Sequence, residues 1–581
     1  MYSYYTNNQN QQLIIALLKE FGIKRIIVSP GGTNPALVAS FQYDSFFEIY
    51  SCVDERSAAY LACGMAEESG EPVVICCTGA TASRNYMPGL TEAFYRKLPI
   101  IAITCSRDSS RIGQLIPQIT DRTAYPNDIF VEGVQLQTIK DKKDLRDCEF
   151  KINKALLASV SHGGGPVHLN VICTTQACET KELPPVTPIK RIQVMDEFPI
   201  IPKGKIGIFI GSHKKMTKEE EDSITNFCER YNAVVFCDHT SNYYGSYRIN
   251  YALIGTQINH KYDFTDLDLL IHMGEISGDY QTTQHLKGKN VWRISEDGKI
   301  RITFNKLNYI FEMKEIYFFQ KYLESSPTVC RNNSFWQECH STYQSLYNDI
   351  PDLPFSNIWI AKTLAPQMPH DSVIHLAILN SLRSWNFFHT HDSIRFNANV
   401  GGFGIDGCTS SLIGASLVNK NKLYFLITGD LAFFYDLNAL GNHHIGNNIR
   451  ILLVNNGKGA EFEHFQSPQY EVGVDSYIAA AGHFGNQSKT LVKNYSENLG
   501  FEYLQASNKN EFINNYKLFI NENLTEKPII FEVFTSAENQ SQAWEILSNL
   551  AKASIKDKIK NNTKNILGEK LSSSVKSLLN K

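Results

Sequence analysis

Short apolar runs that stop at glycine punctuate this chain and constrain its fold more than any other feature. Arg25–Ser29 is β-branched and ends at Pro30-Gly31-Gly32. Pro72–Cys77 is closed by Thr78-Gly79, and Pro99–Thr104 is another continuous apolar run. Between them, Gln11–Phe21 and Glu55–Glu68 carry helical apolar spacing, and Phe47–Val53 reads as a strand. Strands that are apolar on both faces are buried on both, and their alternation with helices predicts parallel sheets covered on each side. The pattern recurs at Lys205–Ile210, Ala233–Cys237 and Leu269–His272, beside a highly charged helix at Lys214–Asp222. It recurs again at Ser372–Leu376, Leu423–Ile427 and Arg450–Val454. A chain of 581 residues is too long for one core, because domains run roughly 100–200 residues. The expected fold is α/β, with three doubly wound parallel-sheet domains at 1–184, 190–335 and 350–550. The Pro-rich Leu183–Ile189 stretch, Ser325–Asn333 and Asp349–Pro354 read as boundaries. Residues 551–581 are lysine-rich with apolar residues at helical spacing, which predicts a basic amphipathic C-terminal helix. Such a helix either docks on its own protein or meets a membrane surface or a partner.

Charge and cysteine usage narrow the classes. Lys+Arg is 56 against Asp+Glu 59, a net charge of -3, which argues against a general nucleic-acid binder. No apolar run reaches the roughly 18 residues of a membrane span, and no basic leader precedes an apolar stretch at the start. The 13 cysteines are scattered, several of them inside apolar strands, and no C-x-x-C pair occurs, so a structural zinc site is not expected. These features predict a cytoplasmic multi-domain enzyme. No G-x-S-x-G elbow is present, and the glycine-rich turns at Gly163–Gly165 and Gly401-Gly402 lack the context of a dinucleotide fingerprint.

The chemistry concentrates at two places. Gly429-Asp430 ends one apolar strand, and Asn456 lies 26 positions after Asp430 at the end of the next. In an open parallel sheet, ligands sit beyond the carboxyl ends of the strands. Asp430, Asn456 and the Lys458 carbonyl could therefore offer three oxygens to Mg²⁺, which takes hard oxygen ligands and completes its shell with phosphates and water. The bland alternative is an Asp in one turn and Asn-Gly in another. Far upstream, Glu55 sits where an apolar strand meets an Ala-rich helix, AAYLACGMA, and can face a cleft. An ordinary first-turn glutamate favoured by the helix dipole is the alternative there.

Asp54–Val73 (DERSAAYLACGMAEESGEPV), Asn399–Gly407 (NVGGFGIDG) and Gly429–Leu440 (GDLAFFYDLNAL) together resemble the thiamine diphosphate (ThDP) enzymes. Leu431, where most of that superfamily has glycine, points to the MenD family, the 2-succinyl-5-enolpyruvyl-6-hydroxy-3-cyclohexene-1-carboxylate synthases. The resemblance implies pyrimidine-binding, central and diphosphate-binding domains, with ThDP and Mg²⁺ as cofactors. It places Glu55 on the aminopyrimidine ring and Ile405 beneath the cofactor. Gly429, Asp430, Leu431 and Asn456 fall at the diphosphate, with Asp430, Asn456 and Lys458 on the metal. Ser381 and Phe462 border the pocket, and Arg107 and Gln118 face substrate and cofactor. It also implies a homodimer or homotetramer with the active site between subunits.

The departures from the family pattern lie at the substrate. Gly32-Thr33 stands where the family has Ser-Arg, Val400 where it has Arg before the glycine run, and Trp385 where it has Arg after Ser381. Glu461 replaces a hydrophobic residue before Phe462. Bidentate pairing of Arg with carboxylate is not supplied by Thr, Val or Trp. The expected function is thus decarboxylation of a 2-oxo acid, with transfer of the acyl carbanion to an acceptor and C–C bond formation, on substrates different from the family's. Trp385, with His389 and His391, could stack a ring or serve structure alone. A non-ligating 2-oxo acid decarboxylase, an acetolactate-synthase-like enzyme and a catalytically silent ThDP-fold binding module are the alternatives. No independent flavin motif is visible, which leaves FAD open.

Overall fold

The computed structural model describes residues 4–325, 333–464, 467, 468, 470 and 485–551. All but the first residue of the predicted basic C-terminal helix lie outside them. The chain divides into two compact units. One holds the residues up to Ile192 with Lys299–Ile302 and Lys306–Ile310; the other holds Gln193–Gly298, Thr303–Asn305 and the chain from Phe311.

The first unit carries β1 (Arg25–Val28), β2 (Glu48–Ser51), β3 (Val73–Thr78), β4 (Ile100–Ser106), β5 (Glu132–Leu136) and β6 (Val167–Ile172). They form one sheet in the order β2-β1-β3-β4-β6-β5, with every pair parallel. Successive strand residues point to opposite faces. Ile26, Val28, Val74, Cys76, Ile101 and Ile103 therefore join one core, while Ile27, Val73, Ile75, Cys77, Ile100 and Ala102 join another. Burying each of the Ile and Val side chains contributes about 1.5–3 kcal/mol, and this double burial is what the continuous apolar runs encode. The strands expected at Arg25–Ser29, Phe47–Val53, Pro72–Cys77 and Pro99–Thr104 are β1 to β4. The sequence pattern does not reveal β6, because His168 and Asn170 interrupt it; both bond the Thr104 hydroxyl on the neighbouring strand.

The second unit contains five strands of a seven-stranded sheet: β7 (Ile206–Ile210), β8 (Ala233–Cys237), β9 (Arg248–Asn250), β10 (Asp266–Met273) and β11 (Lys287–Ile294). Their order is β9-β8-β7-β10-β11, all parallel. The charged helix starts at Lys218, later than Lys214, because Thr217 caps it. The Thr217 hydroxyl accepts from the Glu220 amide at 3.2 Å, and the Glu220 carboxylate accepts from the Thr217 amide at 2.7 Å.

The third sheet comprises β12 (Val373–Leu376), β13 (Arg395–Asn397), β14 (Tyr424–Gly429), β15 (Ile449–Asn455), β16 (Glu502–Ala506) and β17 (Ile529–Phe534). Its order is β13-β12-β14-β15-β17-β16, again all parallel. Taken in chain order, this is the arrangement of the first sheet. Both sheets reverse direction at the same place, between their first and third strands, where an open α/β sheet leaves a crevice at the carboxyl ends. Three parallel sheets with flanking helices make the fold that of three α/β domains.

Candidate active site

At the third sheet, Gly429 pairs with Val454, so Asp430 and Asn455–Asn456 emerge side by side from the ends of β14 and β15. Asp430 is 3% exposed; its Oδ1 accepts from the Leu431 amide at 2.9 Å, which starts the helix Asp430–Tyr435. Asn455 is an anchor. Its amide donates to Glu532 Oε1 at 2.8 Å and its Oδ1 accepts from the Gly457 amide at 3.1 Å. Tyr503 donates to Glu532 Oε2 at 2.8 Å, and burial holds the Glu532 carboxyl above the usual range. Gly457 takes φ +81°, a conformation that suits glycine, so the chain turns and the Lys458 amide reaches Asn456 Oδ1 at 3.2 Å. Asn456 and Lys458 are half-buried. No group of three His, Cys, Asp or Glu able to hold a metal occurs among the described residues. A carboxylate, an amide oxygen and a carbonyl on adjoining strand ends nevertheless fit an oxygen-seeking divalent cation.

Beyond β12, Leu379 adopts φ +67° and leads into the helix Asn380–Asn386, which carries Ser381, Arg383 and Trp385, all buried. Arg383 donates to both oxygens of Glu461, at 2.6 and 2.7 Å, and lies over the Tyr280 ring at 5.8 Å. His464 Nε2 contacts Asn380 Oδ1 at 2.7 Å. Trp385 is fully buried, and its backbone carbonyl contacts His239 Nε2 at 3.1 Å. His389 lies edge-on to Tyr343, and His391 stacks on His370. Val400 is buried beside Gly278, where any Cβ would stand 2.5 Å from Val400 and Leu382 atoms. Ile405 is half-buried against the core of the third sheet. Phe462 lies on the single turn Ala460–Glu463, and its side chain is outside the described set.

The helix Asn380–Asn386 is also tied to the central sheet. Asn386 Nδ2 donates to Asp279 Oδ2 at 3.0 Å. Burial pushes the Asp279 carboxyl from 3.8 up to about 6. With the folded value the higher, the folded chain binds more protons across that window, so the stability contributed by Asp279 falls as pH rises from 3.8 through about 6. Asp279→Asn is expected to remove this fall, which urea unfolding below and above the window measures.

In the first unit, Glu55 is the first residue of the helix Glu55–Ser69. Asp54 caps the helix, accepting from the Arg56 amide at 2.9 Å, and Gly70 ends it at φ +67°. The small residues expected of this helix serve packing: a Cβ on Gly89 of the helix Met87–Arg96 would stand 2.5 Å from the Ala59 Cβ. Glu55 is half-buried, and its Oε2 accepts from Asn85 Nδ2 at 3.3 Å. After β1, the Thr33 hydroxyl lies on the Thr78 hydroxyl and the Cys105 carbonyl, so it is spent within the fold. Gly32, Thr33, Arg107 and Arg111 line a cavity of about 420 Å³. Arg107 and Gln118, with Arg122, line a neighbouring cavity of about 220 Å³. Arg122, Asn85, Arg383, Glu532 and Asp279 were not found from sequence. A glutamate inside the apolar run IIFEVF is the one signal that could have found any of them, and it would have found only Glu532.

Residues 9–125 match the thiamine pyrophosphate enzyme N-terminal TPP binding domain. Along nearly the whole chain, 2-succinyl-5-enolpyruvyl-6-hydroxy-3-cyclohexene-1-carboxylate synthases are similar. The one from Phocaeicola vulgatus is 29% identical over 555 residues, covering 92% of this chain and 97% of that protein. Those from Bacteroides thetaiotaomicron (27%, 93% of this chain and 98% of that protein) and Flavobacterium psychrophilum (29%, 90% and 95%) are comparable. The three parallel α/β sheets, the domain match and the likeness to these synthases together support a thiamine diphosphate-dependent enzyme of the carboligase or lyase class. Within that class it is MenD-like, by the extent of its likeness to the synthases. No helix among the described residues is long and apolar enough to cross a membrane.

Proposed function

We propose that the chain decarboxylates a 2-oxo acid and joins the acyl unit to an acceptor, with ThDP and Mg²⁺, giving a product less carboxylated than the one named for its relatives. When bound, the thiazolium supplies the electron sink that the loss of CO₂ requires. Asp430, Asn456 and the Lys458 carbonyl would hold Mg²⁺ against the diphosphate, with Gly429 and Leu431 beside it. Glu55 would hold a proton at its carboxylate toward the pyrimidine ring, and Ile405, Ser381 and Phe462 would line the cofactor. Arg107 would take one substrate carboxylate and Gln118 would orient it, beside Gly32 and Thr33. The enzyme would be cytoplasmic and would work as a homodimer or homotetramer, with its site completed between subunits. The domain boundaries 1–184, 190–335 and 350–550 belong to the same reading.

The observation that carries the substrate reading is the ion pair of Arg383 with Glu461. Arg383 is the one arginine of the helix Asn380–Asn386, and both oxygens of the protein's own Glu461 carboxylate already accept from its Nη1. A substrate carboxylate would have to compete with it for the guanidinium charge. Release of CO₂ from a panel of mono- and dicarboxylic 2-oxo acids, with and without acceptors, tests the proposal. Turnover of monocarboxylic acids, stimulated by an acceptor, supports it; no acid consumed, or a preference for dicarboxylic acids, refutes it. Glu461→Ile frees Arg383. A hydrogen bond to a charged group contributes about 1.5–3 kcal/mol, so turnover of dicarboxylic relative to monocarboxylic acids is expected to rise about tenfold or more.

A further inference from the structure

Arg122 is 2% exposed, and no carboxylate pairs with it among the described residues. Its guanidinium donates to the Thr120 carbonyl at 2.7 Å, to the Thr120 hydroxyl and to the Ala80 carbonyl at 2.5 Å, while its Nε has no partner. Burying a cation on neutral oxygens, with no carboxylate beside it, is costly, so the position calls for a reason. Ala80 supplies one. It stands at the end of β3 with φ 63°, ψ -142°, a region that side-chain-bearing residues rarely enter. Gly79, just before it, leaves room: a Cβ there would lie 3.7 Å from the Arg122 guanidinium and 3.4 Å from the Cys105 carbonyl.

Ala80 opens the short helix Thr81–Asn85. The second residue of the clasp lies on that helix: Arg84 donates to the Asp121 carbonyl at 2.7 Å and lies over the Tyr125 ring at 5.5 Å. Each of two segments thus sends one arginine to a backbone carbonyl of the other. The last residue of the helix, Asn85, is the donor to Glu55. Gln135 Nε2 holds the Arg122 carbonyl at 2.9 Å, which ties the loop to β5.

We infer that Arg122 and Arg84 are positioning residues: their reciprocal clasp fixes Ala80–Asn85 and so sets where Asn85 holds the Glu55 carboxylate. The inference rests on the role proposed above for Glu55. Neither arginine contacts Glu55 itself; both act through Asn85.

The test uses the full-length protein, with Arg122→Gln, Arg84→Gln and the double variant Arg122→Gln/Ala80→Gly. Amide hydrogen exchange over Thr81–Asn85, measured without cofactor, reads the clasp directly. Steady-state kinetics per folded molecule read its consequence. Each single variant is expected to speed exchange in that segment and to lower kcat more than it raises KM, by about tenfold to a hundredfold, the scale of an ångström-level misplacement. Glycine adopts the Ala80 conformation without strain, so the double variant is expected to regain most of the lost kcat. Unchanged exchange over Thr81–Asn85, a kcat loss explained by unfolded protein alone, or no recovery in the double variant overturns the inference. Should Arg122→Gln fail to fold, Arg84→Gln breaks the other half of the clasp from a more exposed site and decides the matter. Faster exchange with lost kcat, together with a fully active Glu55→Gln, would instead sink the role of Glu55 and leave the clasp standing.

Discussion

Asp430→Ala is expected to abolish Mg²⁺-dependent binding of thiamine diphosphate and to lower turnover by about a thousandfold or more. A metal ion contributes several kcal/mol of charge stabilisation, and each 1.36 kcal/mol is about a tenfold change in rate. The carboxylate stands 3% exposed at the end of β14, beside the Asn456 turn that ends β15. Within the fold its Oδ1 accepts from the Leu431 amide, and one such hydrogen bond to a charged group contributes about 1.5–3 kcal/mol. The two effects are read separately. A folded variant, checked by circular dichroism and thermal melting, that no longer binds cofactor with Mg²⁺ meets the expectation. A folded variant with ordinary cofactor affinity would show that the cation is held elsewhere. Asp430→Asn, which keeps one oxygen, is expected to fall between the two.

Glu55→Gln is expected to keep cofactor binding and to lose turnover by about a hundredfold to a thousandfold, within the range of positioned proton-transfer groups. The glutamine carbonyl can still accept from Asn85 Nδ2, so the helix start and its neighbour are preserved while the negative charge is removed. Binding persists because the strand-end oxygens of Asp430 and Asn456 belong to another part of the chain. Calorimetry and oxo-acid turnover measured on one preparation check this; unchanged turnover contradicts the role given to the carboxylate.

Much of this was legible in the sequence for a physical reason. Strands buried on both faces leave continuous apolar runs, and the glycines where they stop mark the carboxyl edge at which Asp430 and Asn456 emerge. β1 to β4 and β14 to β15 were found that way. What escaped notice depends on contacts between segments with no periodicity. Arg383 and Glu461 lie 78 positions apart, and only the fold brings them into an ion pair. Subtracting expected arginines at Thr33, Val400 and Trp385 showed what was missing, but not that a carboxylate of the protein itself occupies the guanidinium nearby. Arg122 and Ala80 are 42 positions apart on two irregular loops, where neither composition nor spacing signals a contact. Trp385 reads equally well as a stacking platform or as core; its complete burial is a property of the packed helix Asn380–Asn386.

The most direct measurement is isothermal titration of the full-length protein with thiamine diphosphate, with Mg²⁺ and again with chelator. The account predicts saturable heat with one site per chain when Mg²⁺ is present, and weakened or lost binding when it is removed. No heat in the presence of both would contradict the claim that this chain holds the cofactor at all.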